Sequence, residues 1–173
     1  MKSLIKWLRT ECNLIYTEDE LFELDELIIK GLGLSEIHPE IYLLKKLKRL
    51  DCSNNKITNL NLVHDNLIEL RCYQNYIIDI SLDCPELHCL FAHQNSIERG
   101  KINTPKLHDL YLSENQITSI NINKEDKFQI NADDLGVLDL GSNKLNEINI
   151  NYPIINHLDL SDNNIQKIKL DIY

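Results

Sequence analysis

An asparagine that recurs at a nearly constant spacing constrains this chain more than any other feature of its sequence. The interval between successive copies is the same throughout, except for a longer one between Asn115 and Asn143, and the asparagines are Asn55, Asn75, Asn95, Asn115, Asn143 and Asn163. Each of them follows the same apolar frame, [L/I]-x-x-L-x-[L/C/A]-x-x-N-x-[I/L]. Six copies of one frame predict a chain of stacked units, with one turn of a solenoid for about every 20 residues.

The frame also predicts the local structure of each unit. Alternation places Leu50 and Cys52 on the core side of a short strand and Asp51 and Ser53 on the other side. Strands of successive units stack at about 4.8 Å into a parallel sheet. The chain must then turn inward, and an asparagine side chain can both donate to and accept from the buried backbone groups of that turn. We therefore expect the six asparagines to form a structural ladder.

This frame resembles the leucine-rich repeat family. Cysteine at the third apolar position and the following Leu60-Asn61-Leu62 make it most similar to bacterial cysteine-ladder repeats, some of which occur in surface internalins. The resemblance implies an α/β solenoid, a right-handed superhelix with a parallel β-sheet on its concave face and extended or 3₁₀ segments on its convex side. The chain shows no signal peptide or wall anchor, so we expect no role as a surface adhesin.

Residues 1–23 differ from the repeats and predict a short helical N-terminal cap. Leu4 and Leu8 share one face of an amphipathic helix. Thr17-x-x-Glu20 is a capping box, which typically opens a helix. We expect this segment to cover the exposed end of the first repeat.

Residues 24–173 are predicted to form the leucine-rich repeat domain of about seven repeats, the first of them degenerate. An insertion within 123–134 explains the longer interval, and we expect a polar surface loop there. The alternative is a projecting loop with Phe128 as an exposed anchor. The edge after the last repeat is expected either to be covered by Ile172 and Tyr173 or to pair with a second chain as a homodimer.

Composition excludes several classes of function. The net charge of −9 and the pI near 5.1 argue against binding to nucleic acid or to anionic lipid. No apolar run approaches the roughly 20 residues that span a bilayer. The five cysteines include no CxxC pair, so we expect free thiols in a reducing cytoplasm.

Motifs for catalysis are also missing from the frame. A nucleophile or metal site needs clustered ligands or a base in a pocket, and the best group available is His88, Cys89, His93 and His108. His88 and His108 take the strand-entry position, whereas His93 lies at the other end. We therefore expect no catalytic residue, no metal and no cofactor.

The outward strand positions carry the strongest sign of binding. Three repeats hold small or acidic pairs there, whereas the middle repeats hold aromatic and basic residues. Exposed aromatic and arginine side chains are typical of interface hot spots. The predicted site comprises Arg71, Tyr73, Phe91, His93 and Tyr111, with a polar rim that includes Glu69, Asp109 and Glu114. The alternative is that adjacent rings merely shield one another across the sheet.

The leading hypothesis is a cytoplasmic, non-enzymatic module that binds a protein or peptide on its concave face. One alternative is an effector that reaches a host cytoplasm by export without a cleaved signal peptide. Another is a structural, homo-oligomerising repeat protein. A hydrolase or metal enzyme that uses the histidines is the remaining hypothesis, and we do not expect it.

Overall fold

The computed structural model describes residues 1–122, 127–151 and 155–171, in which the chain winds as a parallel β-solenoid of about seven turns. The helices described are α1 (Lys2–Glu11), α2 (Glu18–Glu23) and a 3₁₀ helix (Pro39–Leu43). The strands described are β1 (Glu26–Ile28), β2 (Arg49–Asp51), β3 (Asn59–Val63), β4 (Glu69–Arg71), β5 (Asp79–Asp83), β6 (Cys89–Phe91), β7 (Arg99–Asn103), β8 (Asp109–Tyr111), β9 (Asn121–Ile122), β10 (Phe128–Asn131), β11 (Val137–Asp139), β12 (Glu147–Asn151), β13 (His157–Asp159) and β14 (Lys167–Asp171).

The first sheet, sheet A, contains one short strand from every repeat in the order β1-β2-β4-β6-β8-β11-β13. Its strands are parallel, and equivalent positions of the frame pair with each other: Leu50 lies opposite Leu70, and Leu70 opposite Leu90. These central leucines are almost completely buried. The parallel sheet expected from the repeat is therefore confirmed.

The opposite wall of the solenoid is a second parallel array. Strands β3-β5-β7-β10-β9 form one sheet, called sheet B, and β12 pairs with β14. Alternate residues such as Leu60 and Leu62 point into the core between sheets A and B. The extended segments expected on this side are present, and hydrogen bonds between neighbouring turns make them strands. Ile172 and Tyr173, expected to cover the last repeat, lie outside the described residues.

The structure of the insertion differs from the polar surface loop expected from the sequence. Within residues 127–134 the chain does not run as a polar loop, because β10 pairs with β7 in register and Phe128 lies opposite Gly100. Phe128 is completely buried, so the alternative of an exposed Phe128 anchor is also wrong. The repeat contributes an additional strand, β9, on the far side of β10, with Ile122 buried. Residues 123–126 lie outside the described residues.

The N-terminal helices pack on the first repeat. Leu4 and Leu8 of α1 and Leu21 of α2 are fully buried. Thr17 and Glu20 form the expected capping box, each side chain bonding to the other's backbone amide. This satisfies two donors that a helix start otherwise leaves unpaired. None of the helices in the described part of the chain is long and apolar enough to cross a membrane.

The asparagines close the corner between the two sheets. Asn75 Nδ2 donates to the carbonyls of Cys52 and Cys72 at 3.1 Å each, and Asn75 Oδ1 accepts from Ile57 N at 3.0 Å. The same pattern recurs at the equivalent asparagines Asn95, Asn115, Asn143 and Asn163. Each side chain therefore connects two successive turns through otherwise unpaired backbone groups.

Candidate protein-binding face

Sheet A and the residues that follow its strands form three rows on the side away from the core, here called the open face. The first row contains Glu26, Arg49, Glu69, Cys89, Asp109, Val137 and His157. The second row contains Ile28, Asp51, Arg71, Phe91, Tyr111, Asp139 and Asp159. The third row, two residues beyond each strand, contains Lys30, Ser53, Tyr73, His93, Ser113, Gly141 and Ser161.

Two pairs of aromatic rings stack at the centre of the open face. The ring centroids of Phe91 and Tyr111 are 4.9 Å apart with an interplanar angle of 4°. Those of Tyr73 and His93 are 4.7 Å apart at 6°. The spacing follows from the fold, because neighbouring parallel strands hold equivalent side chains about 4.8 Å apart. All four rings remain partly exposed.

Each ring pair has a basic side chain at its N-terminal end. The guanidinium carbon of Arg71 lies 5.5 Å from the Phe91 ring centroid, and Arg71 Nε donates to Glu69 Oε1 at 2.5 Å. Lys30 Nζ lies 5.3 Å from the Tyr73 ring centroid and donates to Tyr73 Oη at 3.0 Å. The cation–π contact of Arg71 orients the ring of Phe91, whereas the hydrogen bond from Lys30 positions the hydroxyl of Tyr73.

Hydrogen bonding and burial determine the ionisation of this cluster. The Lys30 ammonium, through its hydrogen bond, lowers the pKa of Tyr73. Burial lowers the pKa of His93, although the negative charges of Asp139 and Glu114 act in the other direction and raise it. The imidazole that stacks on Tyr73 is therefore neutral near pH 7.

Ser53 lies on the same side of the sheet as Asp51, as the alternation predicts, and its Oγ donates to Asp51 Oδ1 at 2.5 Å. It is nevertheless completely buried there. Its small side chain leaves room for Lys30 to reach across one turn to Tyr73. The sequence pattern does not identify Lys30 as a residue of the open face, because the first repeat, which carries it, is degenerate. Alignment of Leu27 with the central leucines of the other strands is the signal that identifies it.

The expected polar rim lies where the repeat places it. Glu69 pairs with Arg71, and Glu114 accepts from Gln94 Nε2 at 3.2 Å. Asp109 Oδ1 is 2.7 Å from His108 Nδ1. The structure thus brings all eight predicted binding residues onto or beside one face.

His93 lies apart from the other residues considered for metal or nucleophilic chemistry, because it follows β6, whereas His88, Cys89 and His108 lie at the entry of β6 and β8. His88 Nδ1 donates to the carbonyl of Glu86 at 2.8 Å, while His93 stacks on Tyr73. Burial, with the charge of Asp109 and a hydrogen bond to it, raises the pKa of Cys89 to about 11, so its thiol is protonated at neutral pH. Within the described residues, no three histidine, cysteine or acidic side chains are arranged to hold a metal.

An apolar extension beyond the open face was not predicted from the sequence. Tyr76 and Ile78 follow the Asn75 corner and are 60% and 41% exposed. The equivalent positions of the neighbouring repeat, Lys56 and Thr58, are polar. Comparison of these corner positions between repeats is the signal that reveals the extension.

Charge is distributed unevenly along the open face. In the first three repeats three basic residues balance three acidic ones, namely Lys30, Arg49 and Arg71 against Glu26, Asp51 and Glu69. In the last three repeats the rows and the residue after them carry five acidic residues and no lysine or arginine, the acids being Asp109, Glu114, Asp139, Asp159 and Asp162. The aromatic cluster lies between the two halves.

No protein-family model and no curated protein matches the chain. It is similar to the solved structure of a leucine-rich repeat protein of Leptospira interrogans, at 17% identity and a TM-score of 0.39 over 96% of this chain. The chain spans 59% of that protein's length. The stacked turns themselves define the fold: a parallel β-solenoid of about seven turns on a leucine–asparagine frame, which fits a leucine-rich repeat protein.

Proposed function

We propose that this chain is a non-enzymatic protein-interaction module that binds a protein or peptide on the open face of sheet A. The binding residues are Arg71, Tyr73, Phe91, His93 and Tyr111, with Glu69, Asp109 and Glu114 at the rim. Lys30 joins them because it holds the hydroxyl of Tyr73.

The stacked pair of Phe91 and Tyr111 is the observation that carries this proposal. Both rings lie on the side of sheet A away from the core, in a row where three of the other repeats have aspartate. Mutual stacking contributes about 0.5–1.5 kcal/mol per pair, and this shields part of each ring. It leaves both rings partly exposed, so stacking explains their orientation and not their presence on this face.

The cytoplasm is the compartment that we propose. All five cysteines are free thiols, and four of them are buried, as expected for a protein that stays reduced. An effector acting in a host cytoplasm would meet the same reducing conditions, and a translocation assay separates the two.

A second copy of the chain is a competing partner. Among the described strands β13 and β14 are outermost, and the apolar residues Leu158, Leu160 and Ile165 are only partly buried there. Light scattering over a wide concentration range tests this idea. A monomer at all concentrations contradicts it, whereas a dimer that Leu160→Lys dissociates supports it.

The binding proposal is tested with Phe91→Ala/Tyr111→Ala. The wild-type chain is used to isolate a partner from the native cell, and calorimetry then measures the affinity of the purified partner for each variant. We expect the double variant to weaken binding by about 2 kcal/mol or more while its circular dichroism stays unchanged.

Tyr42→Ala is the matched control, because Tyr42 is an exposed ring on the 3₁₀ helix, away from sheet A. It should bind as wild type does. Equal affinity of the double variant and the wild type would refute the proposed site.

A further inference from the structure

One edge of sheet B lies open at strand β3. Sheet B begins with β3, because the first repeat forms the 3₁₀ helix (Pro39–Leu43) where most later repeats form a strand. That helix satisfies its own amides, since Ile41 N donates to the His38 carbonyl and Leu44 N donates to the Ile41 carbonyl. It therefore packs beside β3 without completing the sheet.

Backbone groups of β3 point toward this open edge. His64 N donates to the Asp83 carbonyl, and Val63 lies opposite Asp83 in the register of β3 with β5. Since successive amides of a strand point in opposite directions, the amides of Asn59, Asn61 and Val63 point away from β5. In the described part of the chain, the amides of Asn61 and Val63 have no hydrogen-bond acceptor. They are available to a further strand.

The residues of β3 do not protect this edge against pairing. Natural edge strands are usually short, or they carry charged side chains or proline that prevent unintended pairing. The outer strand β1 of sheet A has three residues and carries Glu26, and the outer strand β14 carries Lys167 and Lys169. Strand β3 has five residues, with the sequence NLNLV, and contains neither a charged residue nor a proline. Its composition is that of a strand that pairs on both sides.

An apolar cleft lies between β3 and the 3₁₀ helix. It has a volume of about 200 Å³, and its apolar lining comes from Ile37, Pro39, Tyr42, Leu62 and Val63. Val63 and Tyr42 are 55% and 47% exposed, so neither side chain is covered by another part of the chain. The cleft therefore offers apolar contacts to the side chains of a strand that pairs with β3.

We infer that a partner adds an extended, uncharged segment to sheet B as a new strand beside β3, with every second side chain in the cleft. The unpaired amides select a strand, because an extended segment presents acceptors at their spacing. Charge selects an uncharged segment. No acidic, lysine or arginine side chain of the described residues lines the cleft, so a charge entering it would lose water without gaining a counter-ion. This surface is on the opposite wall of the solenoid from the open face.

A single strand fits this edge better than a second copy of the chain does. The 3₁₀ helix stands beside β3, and α1 packs against that helix, so both helices flank the edge. A second solenoid would have to bring its own turns into the space beside these helices, whereas one extended segment can enter the cleft alone.

The test uses a labelled pool of short synthetic peptides in which valine or isoleucine alternates with threonine or asparagine. A second pool carries N-methyl groups on the apolar residues, and a third carries them on the polar residues. Alternate amides of a strand lie on one edge, so each methylated pool has a different edge blocked. Fluorescence anisotropy measures binding to the full chain. We expect one methylated pool to bind about tenfold more weakly than the unmethylated pool, and the other to bind within about twofold of it.

Variants of the chain test the edge itself. Val63→Lys places a charge at the cleft and should weaken binding about tenfold. Ile168→Lys is the matched control, because Ile168 is a strand residue of similar exposure, 57%, on the last turn, and it should bind as wild type does. Asn61→Pro removes an amide that points away from β5, so it should weaken binding while the pairing with β5 is kept. Circular dichroism of all variants checks that the fold is retained.

Amide hydrogen exchange locates the bound edge directly. The unmethylated pool should slow exchange at the amides of Asn61 and Val63. Slow exchange of these amides in the concentrated chain alone, together with a dimer in light scattering, would assign the edge to a second copy and overturn the inference.

The remaining outcomes separate this inference from the proposed function. Equal binding of the three pools refutes strand addition, and so does the absence of saturable binding by the unmethylated pool. Phe91→Ala/Tyr111→Ala should leave the affinity for this pool unchanged, because both rings belong to sheet A. Loss of that affinity would place the peptides on the open face and overturn the inference, whereas the proposed function is judged by the native partner.

Discussion

The ring of Phe128 occupies the space that Gly100 leaves open on the neighbouring strand. The two residues pair in parallel register on β10 and β7. A Cβ at position 100 would lie 2.9 Å from Phe128 Cε2 and 2.8 Å from Ile80 Cγ2. The large ring of Phe128 thus fills the part of this core layer that Gly100, which has no side chain, leaves free.

Gly100→Ala should therefore destabilise the chain by about 1–3 kcal/mol through overpacking. Phe128→Leu alone should also destabilise, because it leaves a cavity. The double variant should be more stable than the sum of the two effects predicts, since the smaller leucine makes room for the added methyl group. Urea unfolding of the four proteins measures this coupling, and strict additivity would contradict the packing described.

Asn95→Ala should lower the free energy of unfolding by about 3 kcal/mol. It removes bonds to the carbonyls of Cys72 and Ala92 and leaves the buried amide of Ile77 without its acceptor. Asn163→Ala is the matched comparison, because Asn163 makes the same bonds but is only partly buried. We expect Asn163→Ala to lower the free energy of unfolding by about 1 kcal/mol, as measured by thermal or urea unfolding. Equal costs at both sites would show that burial does not determine the strength of the ladder.

Thr104→Val should stabilise the chain by about 1 kcal/mol. Thr104 is completely buried, and its hydroxyl has no hydrogen-bond partner among the described residues. Valine has nearly the same shape and removes the cost of the unpaired hydroxyl. Thr118→Val, at an exposed corner, serves as the control and should change the unfolding free energy little. A destabilised Thr104→Val would indicate that the hydroxyl has a partner in solution.

Acidification should destabilise the fold through His64. Burial lowers the pKa of this imidazole, which accepts from Asn66 N at Nδ1 and lies 3.2 Å from the Leu44 carbonyl at Nε2. Protonation of the ring would place a proton on Nδ1, the atom that already accepts the hydrogen bond from Asn66 N. As pH falls below about 6.5, the unfolded state binds this proton first, so stability decreases.

Thermal unfolding between pH 8 and pH 5 measures this dependence. His64→Gln should lose less stability over the range than wild type, because it lacks the titrating group. His157→Gln, at an exposed position, should behave as wild type does. An identical pH dependence of wild type and His64→Gln would exclude a contribution of His64.

The repeat frame predicts the register of sheet A and the position of each ring on it. Leu70, Leu90 and Leu110 pair as the alignment of the frames requires, because a constant repeat length returns every side chain to the same place. Stacking of Phe91 on Tyr111 follows from that register alone.

Features outside the frame could not be predicted in this way. Phe128 lies among polar residues in the sequence, and only its pairing with Gly100 of the preceding repeat makes it a core residue. Lys30 reaches Tyr73 because Ser53 between them is small, which is a relationship across three repeats. Local patterns do not contain such long-range complementarity.

The asparagine ladder has a direction along the chain. Asn75 accepts from Ile57, and Asn95 accepts from Ile77, so the amide of each turn is completed by the turn that follows it. Ribosomes make the earlier turn first, and its corner stays open to water until the next coil emerges. We therefore expect the solenoid to form one turn at a time during synthesis, each new turn completing the hydrogen bonds of the turn before it. We expect unfolding to start at a turn whose corner amide has no asparagine bonded to it.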